Sequence, residues 1–284
     1  MRYIDGDYVK SVLPHRDENG HKGTFGKVYL LGGSVGYTGA PVLCADGAVR
    51  GGCGLVFVGV PETVWPVAAV KCDSAMPYPL PEKEGRLCLA AESEIRRRAE
   101  GCDAAAIGCG MGRGAETDEL TRRLMTLPVP LVLDADGING LSGHIDTLSR
   151  RRGLTTVLTP HEGELARLGA DMAAPRAEEA ARFAVTHGVY LIRKGHRTVV
   201  ASPTGELAEN TTGNDGMAKG GSGDVLTGLV TSLLAQGMEP FAACCAAVWL
   251  HGRAGDMAAA EKGRRGMTPR DLIEMLPYAL KEVE

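Results

Sequence analysis

Short apolar segments recur along the chain, and most are followed by a glycine-rich turn and a segment of helical periodicity. The clearest apolar segments cover residues 27–31, 55–60, 103–107, 131–133, 155–158 and 189–192. Apolar strands that alternate with helices are typical of a parallel sheet covered on both faces. The pattern therefore predicts an α/β fold, a three-layer αβα sandwich with a mainly parallel central sheet.

The rest of the chain completes this plan without dividing it. Two further strands are expected at residues 198–201 and 206–209, whereas the prolines of residues 77–81 indicate a connection. Helices are expected at residues 42–49, 62–70, 92–100, 118–127, 164–168, 177–186, 225–236, 242–260 and 269–282. No linker, low-complexity tract or internal repeat is present, so residues 1–284 are expected to form a single domain.

Composition excludes several classes of protein. A formal net charge of -4 does not indicate binding to nucleic acid. No run approaches the roughly 18 apolar residues of a membrane helix, and the first residues lack a signal-peptide core. The eight cysteines form no C-x-x-C pair, which favours buried, reduced thiols over a metal site or disulfides. We therefore expect a cytoplasmic protein with no membrane or nucleic-acid partner.

The glycine-rich stretch of residues 210–223 leads directly into an amphipathic helix, and Asp224 lies at the junction. Glycines allow a ligand to approach the backbone, and the free N–H groups of a first helical turn attract anions. A carboxylate among these donors can accept the proton of a substrate hydroxyl during phosphoryl transfer. The alternative is that Asp224 or Ser222 merely caps the helix.

A second signal, residues 32–36, favours a different chemistry. This segment, GGSVG, matches the G-x-S-x-G elbow of serine hydrolases, with Ser34 as nucleophile. Asp134 or Asp224 and then His161 or His251 follow in the order such a triad requires. We give the hydrolase less weight, because such an elbow normally lies deep inside a sheet, whereas Ser34 follows the first clear strand. The short pattern also arises readily in a chain rich in glycine. His251, on an alanine-rich helix, is interpreted as a packed residue.

Polar residues follow two further strands. Asp134, Asp136 and Asn139 can orient a substrate or hold Mg²⁺ through water, or they can serve as turn and cap residues. His161 can contact substrate and Glu164 can position a hydrated metal, or both can simply begin a helix.

Two loops complete the set of candidates. Lys194-Gly195-His196-Arg197-Thr198 joins two strands and can bind a nucleotide phosphate, or it is a solvated hairpin turn. The turn GCGMG of residues 108–112 lacks the last glycine of the dinucleotide fingerprint. Because ligands bind beyond the carboxyl ends of parallel strands, these segments are expected to share one cleft.

Taken together, the motifs resemble the ADP/ATP-dependent NAD(P)H-hydrate dehydratase family, a branch of the ribokinase-like superfamily. The similar segments extend from about residue 22 to residue 277. They are KGTFGKVYLLGGSVGYTGAP, VLDADGING, LTPHEGELARL, RKGHRT, NDGMAKGGSGDVLTG and LHGRAGD. One departure is Cys109, where many members have proline.

The resemblance implies a lyase that restores NADH or NADPH from the S form of its hydrate. ADP or ATP would be the co-substrate, with Mg²⁺, and AMP or ADP and phosphate the products. The implied catalytic residues are Asp224, Gly221, Ser222 and Gly223. The implied hydrate-binding residues are Ala40, Gly110, His161 and Asp224. The implied nucleotide-binding residues are Lys194, Gly195, His196, Arg197, Thr198 and Gly223. Glu164 is the residue implied to be associated with the metal.

Other readings stay open from the sequence. A kinase of the same fold would release a stable phosphorylated small molecule, such as a vitamin precursor. A nucleotide sensor would bind ADP and turn over nothing. The resemblance also implies a homo-oligomer, specifically a tetramer, and a functional partnership with an NAD(P)H-hydrate epimerase.

Overall fold

Ten strands of the chain form one continuous sheet in a computed structural model that describes residues 1–284. The strands of the protein are β1 Arg2–Ile4, β2 Lys27–Leu31, β3 Leu55–Pro61, β4 Met76–Leu80, β5 Glu82–Lys83, β6 Arg86–Leu87, β7 Ala104–Ile107, β8 Leu131–Leu133, β9 Thr156–Leu158, β10 Tyr190–Arg193, β11 Val199–Ala201 and β12 Leu207–Asn210. Their order in the sheet is β1-β12-β11-β10-β9-β8-β7-β2-β3-β4, and β5 and β6 form a separate hairpin.

The sheet is mainly parallel, as predicted. Only β11 is antiparallel to its neighbours, β10 and β12. The central strands β7, β8 and β9 are buried along their whole length, which explains why their sequences are apolar without alternation. The predicted architecture, an α/β fold with a mainly parallel central sheet between layers of helices, is confirmed.

Helices cover both faces of this sheet. They are α1 Gly6–Val12, α2 Ala40–Arg50, α3 Trp65–Lys71, α4 Glu92–Ala99, α5 Ala115–Leu124, α6 Ala135–Asn139, α7 Glu162–Arg167, α8 Arg176–His187, α9 Ser222–Ala235, α10 Pro240–Lys262 and α11 Pro269–Lys281. None of them combines the length and the apolar character needed to cross a bilayer.

Two hydrophobic cores lie on opposite faces of the sheet. Strand β2 contributes Val28 and Leu30 to one core and Tyr29 and Leu31 to the other, because successive side chains of a strand point to opposite faces. The first core includes α2, α9 and α10, and the second includes α4, α5 and α8. All eight cysteines are free; six are buried, and Cys53 and Cys72 are partly buried.

Helices α2 and α9 touch through their backbones. A Cβ atom added to Gly228 would lie 1.8 Å from the carbonyl oxygen of Cys44, and one added to Gly47 would lie 2.4 Å from that of Val225. Only glycine permits so close an approach at both positions. The contact fixes α9, and therefore its first turn, against the rest of the fold.

Both edges of the sheet differ from the prediction. The expected proline-rich connection at residues 77–81 is wrong, since β4 occupies Met76–Leu80 and pairs with β3. Proline is tolerated there because an edge strand has one side without hydrogen bonds. At the other edge, β1 pairs with β12, and no strand is among the elements predicted for that segment.

Candidate active site

A buried polar cluster lies where β8, β9 and β10 end, and Asp134 is at its centre. Its Oδ1 accepts hydrogen bonds from Lys194 Nζ at 2.6 Å and Thr159 Oγ1 at 2.8 Å. Its Oδ2 accepts one from Thr227 Oγ1 of α9 at 2.9 Å. Asp134 occupies the N-cap position of α6, yet its side chain makes no capping bond. The carboxylate therefore joins two strand ends to the first turns of α9, and the cap alternative is wrong for Asp134.

Lys194 and Asp134 form an ion pair in which the side chain of Asp134 is 2% exposed and that of Lys194 is 19% exposed. Burial alone would disfavour both charges, but their mutual attraction raises the pKa of Lys194 and lowers that of Asp134, assisted by the two threonine hydroxyls. The carboxylate of Glu164 adds to the effect on Lys194, with Oε2 at 4.0 Å from Nζ. Both partners of the pair are therefore charged at neutral pH.

The start of α9 has the form of an anion-binding turn. Gly221 is the N-cap, with φ +103, and no side chain caps the helix. Neither Ser222 nor Asp224 is the cap, so that alternative is wrong. The left-handed conformation at Gly221 is one that residues with a Cβ rarely adopt. No side chain bonds the first N–H groups of the helix, although the backbone N–H of Ser222 donates to the carbonyl oxygen of Lys219 at 3.3 Å. Free N–H groups at a helix start are what an anion site requires.

Asp224 lies in this first turn and is only partly buried. Burial and the nearby charge of Asp134 raise its pKa to about 7, while Cys109 and Lys194 act in the opposite direction. Ligand atoms of Cys109, Asp134 and Asp224 all lie within 4.8 Å of one another. A carboxylate with this pKa is half-ionised near pH 7 and is suited to general-base catalysis.

His251, on α10, forms a hydrogen bond with the backbone of the same turn. The carbonyl oxygen of Ser222 can only accept a hydrogen bond, so the Nε2 of His251, at 2.9 Å, carries the proton. Burial lowers the pKa of His251 to about 4, and the ring is neutral. The interpretation of His251 as a packed residue is confirmed.

His161 and Glu164 form a capping box at the start of α7. The Nδ1 of His161 accepts from the backbone N–H of Gly163 and Glu164 at 3.0 and 3.3 Å, and Glu164 Oε2 accepts from the N–H of His161 at 2.8 Å. The imidazole is 55% exposed. Both residues thus shape the helix start, and the ring remains accessible to a ligand.

Ala40 and Gly110 lie next to each other. A Cβ atom at Gly110 would be 2.8 Å from Cβ of Ala40 and 2.9 Å from that of Tyr37. The buried hydroxyl of Ser34 donates to the carbonyl of Gly110 at 2.9 Å. Ser34 therefore has a structural partner and no histidine to activate it, and we reject the hydrolase alternative.

Gly223 and the loop of residues 194–198 line the remaining side. A Cβ atom at Gly223 would lie 3.2 Å from Lys194 Nζ and 3.7 Å from Asp134 Oδ2. Within the loop Thr198 Oγ1 donates to the carbonyl of Gly195 at 3.1 Å, whereas Arg197 pairs with Glu209 at 2.8 Å. Lys194 thus reaches the centre of the site, while His196 and Arg197 are exposed at its edge.

Two residues that sequence analysis proposed with Asp134 have separate positions. Asp136 Oδ2 accepts from the backbone N–H of Gly112 at 2.8 Å and holds the glycine turn. Asn139 accepts from Arg167 at 2.9 Å. Conversely, Thr159 and Thr227 contact Asp134 but were not singled out, because a threonine in an apolar segment gives no distinguishing signal.

Comparison with known proteins agrees with this geometry. Residues 28–278 match the family model for NAD(P)H-hydrate dehydratase. The chain is 42% identical over 289 residues to a bifunctional NAD(P)H-hydrate repair enzyme of Moorella thermoacetica, covering 100% of this chain and 54% of that protein. It spans about half the length of the bifunctional relatives it matches.

Solved structures share the whole fold. An ADP/ATP-dependent NAD(P)H-hydrate dehydratase of Bacillus subtilis, co-crystallised with ATP and Mg²⁺, is 30% identical with a TM-score of 0.82, over 100% of this chain and 99% of that one. A ribokinase-like protein of Enterococcus faecalis is 26% identical with a TM-score of 0.85, over 99% and 96%. The chain belongs to the NAD(P)H-hydrate dehydratase family.

Proposed function

We propose that residues 1–284 act as a single-domain lyase that repairs hydrated NADH or NADPH. The S form of the hydrate would lose water at the expense of ADP or ATP, giving AMP or ADP, phosphate and the restored dinucleotide. The main support is Asp224, a carboxylate whose pKa is raised to about 7 in the first turn of α9. Such a group can accept a proton at neutral pH beside backbone donors suited to phosphate.

The chemistry converts a poor leaving group into a good one. Asp224 accepts the proton of the ring hydroxyl, while the oxygen of that hydroxyl attacks the terminal phosphorus of the nucleotide. The bond from that phosphorus to the bridging oxygen breaks, and AMP or ADP leaves. Backbone N–H groups of Gly221, Ser222 and Gly223 stabilise charge on the transferring phosphoryl group. The carbon–oxygen bond of the ring then breaks, phosphate leaves, and loss of a proton from the adjacent carbon forms the double bond.

Each side of the site binds one substrate in this proposal. Ala40, Gly110 and the exposed ring of His161 contact the hydrate near Asp224. Residues 194–198 and Gly223 bind the adenine nucleotide. The proximity of Gly223 to Lys194 supports this assignment, because any side chain at residue 223 would occupy the space in front of the ammonium group.

Mg²⁺ is proposed to enter with the nucleotide and to be associated with Glu164. Oε2 of Glu164 is already bonded within the capping box, but Oε1 has only a 3.3 Å contact with the exposed ring of His161. Oε1 is therefore suited to accept a hydrogen bond from a metal-bound water, which is how Mg²⁺ is commonly held. The ion would neutralise charge on the nucleotide phosphates.

The direct test supplies hydrated NADH with ADP or ATP and Mg²⁺. Recovery of the reduced-nicotinamide absorbance with equimolar release of phosphate is the expected result. A stable phosphorylated product would instead identify a kinase, and ADP binding without turnover would identify a sensor. Comparing the two nucleotides, and the hydrates of NADH and NADPH, would define the preferred pair.

We further propose a homo-oligomer, specifically a tetramer, a cytoplasmic location and a functional partnership with an epimerase that interconverts the two hydrate forms. The eight free cysteines support a reducing compartment. The description of relatives as bifunctional supports a second activity acting on the same metabolite. Light scattering coupled to size exclusion would test the tetramer, and a trimer, dimer or monomer would contradict it.

A further inference from the structure

The loop of residues 194–198 has a backbone shape that needs support from outside itself. Gly195 has φ +146 and Arg197 has φ +56. Left-handed conformations are uncommon for residues other than glycine and persist where surrounding contacts hold them. The loop itself supplies only the hydrogen bond from Thr198 to Gly195.

Arg176, the first residue of α8, supplies the missing contacts. Its Nη1 donates to the carbonyls of His196 at 2.6 Å and Arg197 at 3.0 Å. Its Nη2 donates to those of Arg193 at 3.0 Å and Lys194 at 2.8 Å. One planar guanidinium group therefore binds three carbonyl oxygens of the loop and that of Arg193, the residue before it. A Cβ at Gly195 would lie 2.7 Å from Nη2.

Glu162 connects this arrangement to α7. Its Oε1 accepts from Arg176 Nε at 2.9 Å, and its Oε2 accepts from Arg193 Nη2 at 2.6 Å. All five N–H groups of Arg176 are thus engaged within the protein. The guanidinium has no donor left for a ligand, so any effect on binding must act through the loop and through the adjacent start of α7.

We propose that Arg176 is a positioning residue for the nucleotide. It holds the turn of residues 194–198 in the shape that receives the phosphates, and it fixes the backbone from which Lys194 reaches Asp134. The inference rests on the proposed function only in that this turn binds the adenine nucleotide. On the hydrate side, Ala40 and Gly110 have no contact with Arg176, and His161 is linked to it only through Glu162, its neighbour in the chain.

The test replaces Arg176 and measures the two substrates separately. For Arg176→Ala we expect the Kd of Mg-ADP, measured by calorimetry, and the KM for ADP to rise about tenfold or more, since small displacements of positioned groups are costly. The KM for the hydrate should change less than about twofold. Arg176→Lys should recover only part of the ADP affinity, because an ammonium group cannot bind four carbonyls in one plane.

Arg182→Ala is the matched control. Arg182 lies on the same helix, is 57% exposed and pairs with Glu179 at 2.6 Å, which otherwise accepts only from the N–H of Asp171. Neither residue bonds to the loop or to α7, so removal of Arg182 should leave the binding of both substrates unaffected. Unchanged ADP affinity in Arg176→Ala, or in Arg176→Lys should the alanine variant not fold, would overturn the proposal. So would an equal rise in the KM for the hydrate.

The two proposals fail in different ways. If the wild-type protein binds ADP but restores no dinucleotide, the lyase is wrong and the calorimetric test of Arg176 still stands. If it restores the dinucleotide and Arg176→Ala binds ADP normally, only the role of Arg176 is wrong. A wild-type protein that binds no adenine nucleotide would contradict both.

Discussion

The end of β8 and the start of α9 each place a carboxylate in the same site, and the surroundings of the two carboxylates shift their pKa values in opposite directions. Asp134, at the end of β8, is 2% exposed and accepts hydrogen bonds from one ammonium group and two hydroxyls. Asp224, at the start of α9, is partly open and lacks such a set of donors. The pKa of Asp134 is lowered, and that of Asp224 is raised to about 7.

The difference shows how one site can hold a carboxylate that stays ionised beside a carboxylate that gains and loses a proton near neutral pH. Asp134 keeps its charge because Lys194 is bonded to it, and that permanent charge helps to raise the pKa of Asp224. Pairs of titratable groups whose environments drive their pKa values apart are typical of acid–base catalysis. We therefore propose that Asp134 organises the site and that Asp224 accepts the proton.

The largest effect is expected for Asp224→Asn. The amide keeps the shape of the side chain but cannot accept the hydroxyl proton, so kcat should fall by about 10²- to 10⁴-fold. The affinity for ADP should stay within about threefold. Steady-state assay of dinucleotide recovery and calorimetry with Mg-ADP measure the two quantities.

Asp215→Asn is the control for this change. Asp215 belongs to the same glycine-rich stretch but is exposed and pairs only with Arg264 at 3.2 Å. Its substitution should leave kcat unchanged. Full activity of Asp224→Asn, or an equal loss in Asp215→Asn, would remove the distinction between the two carboxylates of the site.

Asp134→Asn should mainly affect stability. The substitution leaves the ammonium of Lys194, whose side chain is only 19% exposed, without its charged partner. Breaking a fully buried pair typically costs about 3–5 kcal/mol in the free energy of unfolding, and we expect a loss toward the lower end of that range. Asp118→Asn, which breaks the partly exposed pair with Arg113, should cost less than about 1 kcal/mol. Urea unfolding measures both, and equal losses would contradict the assignment of Asp134 as an anchor.

The Asp134–Lys194 contact also shows where sequence reasoning reached its limit. The sequence places both residues at strand ends, so their presence in one cleft followed from the parallel sheet. Their direct hydrogen bond could not be predicted, because 60 residues separate them. Each also had a local explanation, Asp134 as a turn or cap residue and Lys194 as part of a solvated hairpin turn. Thr227 was missed for a similar reason, since a buried helical threonine has no distinctive pattern.

The fold itself was more accessible to sequence reasoning. Fully apolar strands such as β7 and β8 identify themselves, because only burial on both faces permits such composition. Strand β4 could not be recognised in this way, because its prolines are compatible with both an edge strand and a loop. Arg176 was also missed, because a basic residue at the start of a helix usually faces solvent.

The pH dependence of kcat sharpens the comparison further. A base with pKa about 7 is roughly one-tenth ionised at pH 6 and nine-tenths ionised at pH 8, so kcat should rise about tenfold between them. A carboxyl at its ordinary value of 3.8 would give a flat profile over this range. In Asp134→Asn the rise should move to lower pH, because the neighbouring negative charge is absent.

The same raised pKa predicts an opposite trend in stability. Above about pH 4 the unfolded chain releases the proton of Asp224 while the folded protein keeps it up to about pH 7. The native state then binds more protons, and the free energy of unfolding falls as pH rises through this window. Asp224→Asn should therefore be more stable than the wild type at pH 8, by about 1–4 kcal/mol. A variant no more stable than the wild type at pH 8 would place the pKa of Asp224 near its ordinary value.

The smallest effect is expected for Thr227→Val, which tests how the two regions are joined. The hydroxyl is shared between Asp134 Oδ2 at 2.9 Å and the carbonyl of Gly223 at 3.1 Å, and valine fills the same space without it. One oxygen of a buried carboxylate loses its donor, which should cost about 1–3 kcal/mol. Thr231→Val is the matched control, since that hydroxyl donates only to the carbonyl of Thr227. If urea unfolding gave equal losses for both variants, α9 would be held by packing alone, and the bond from Asp134 to its first turns would have no separate role.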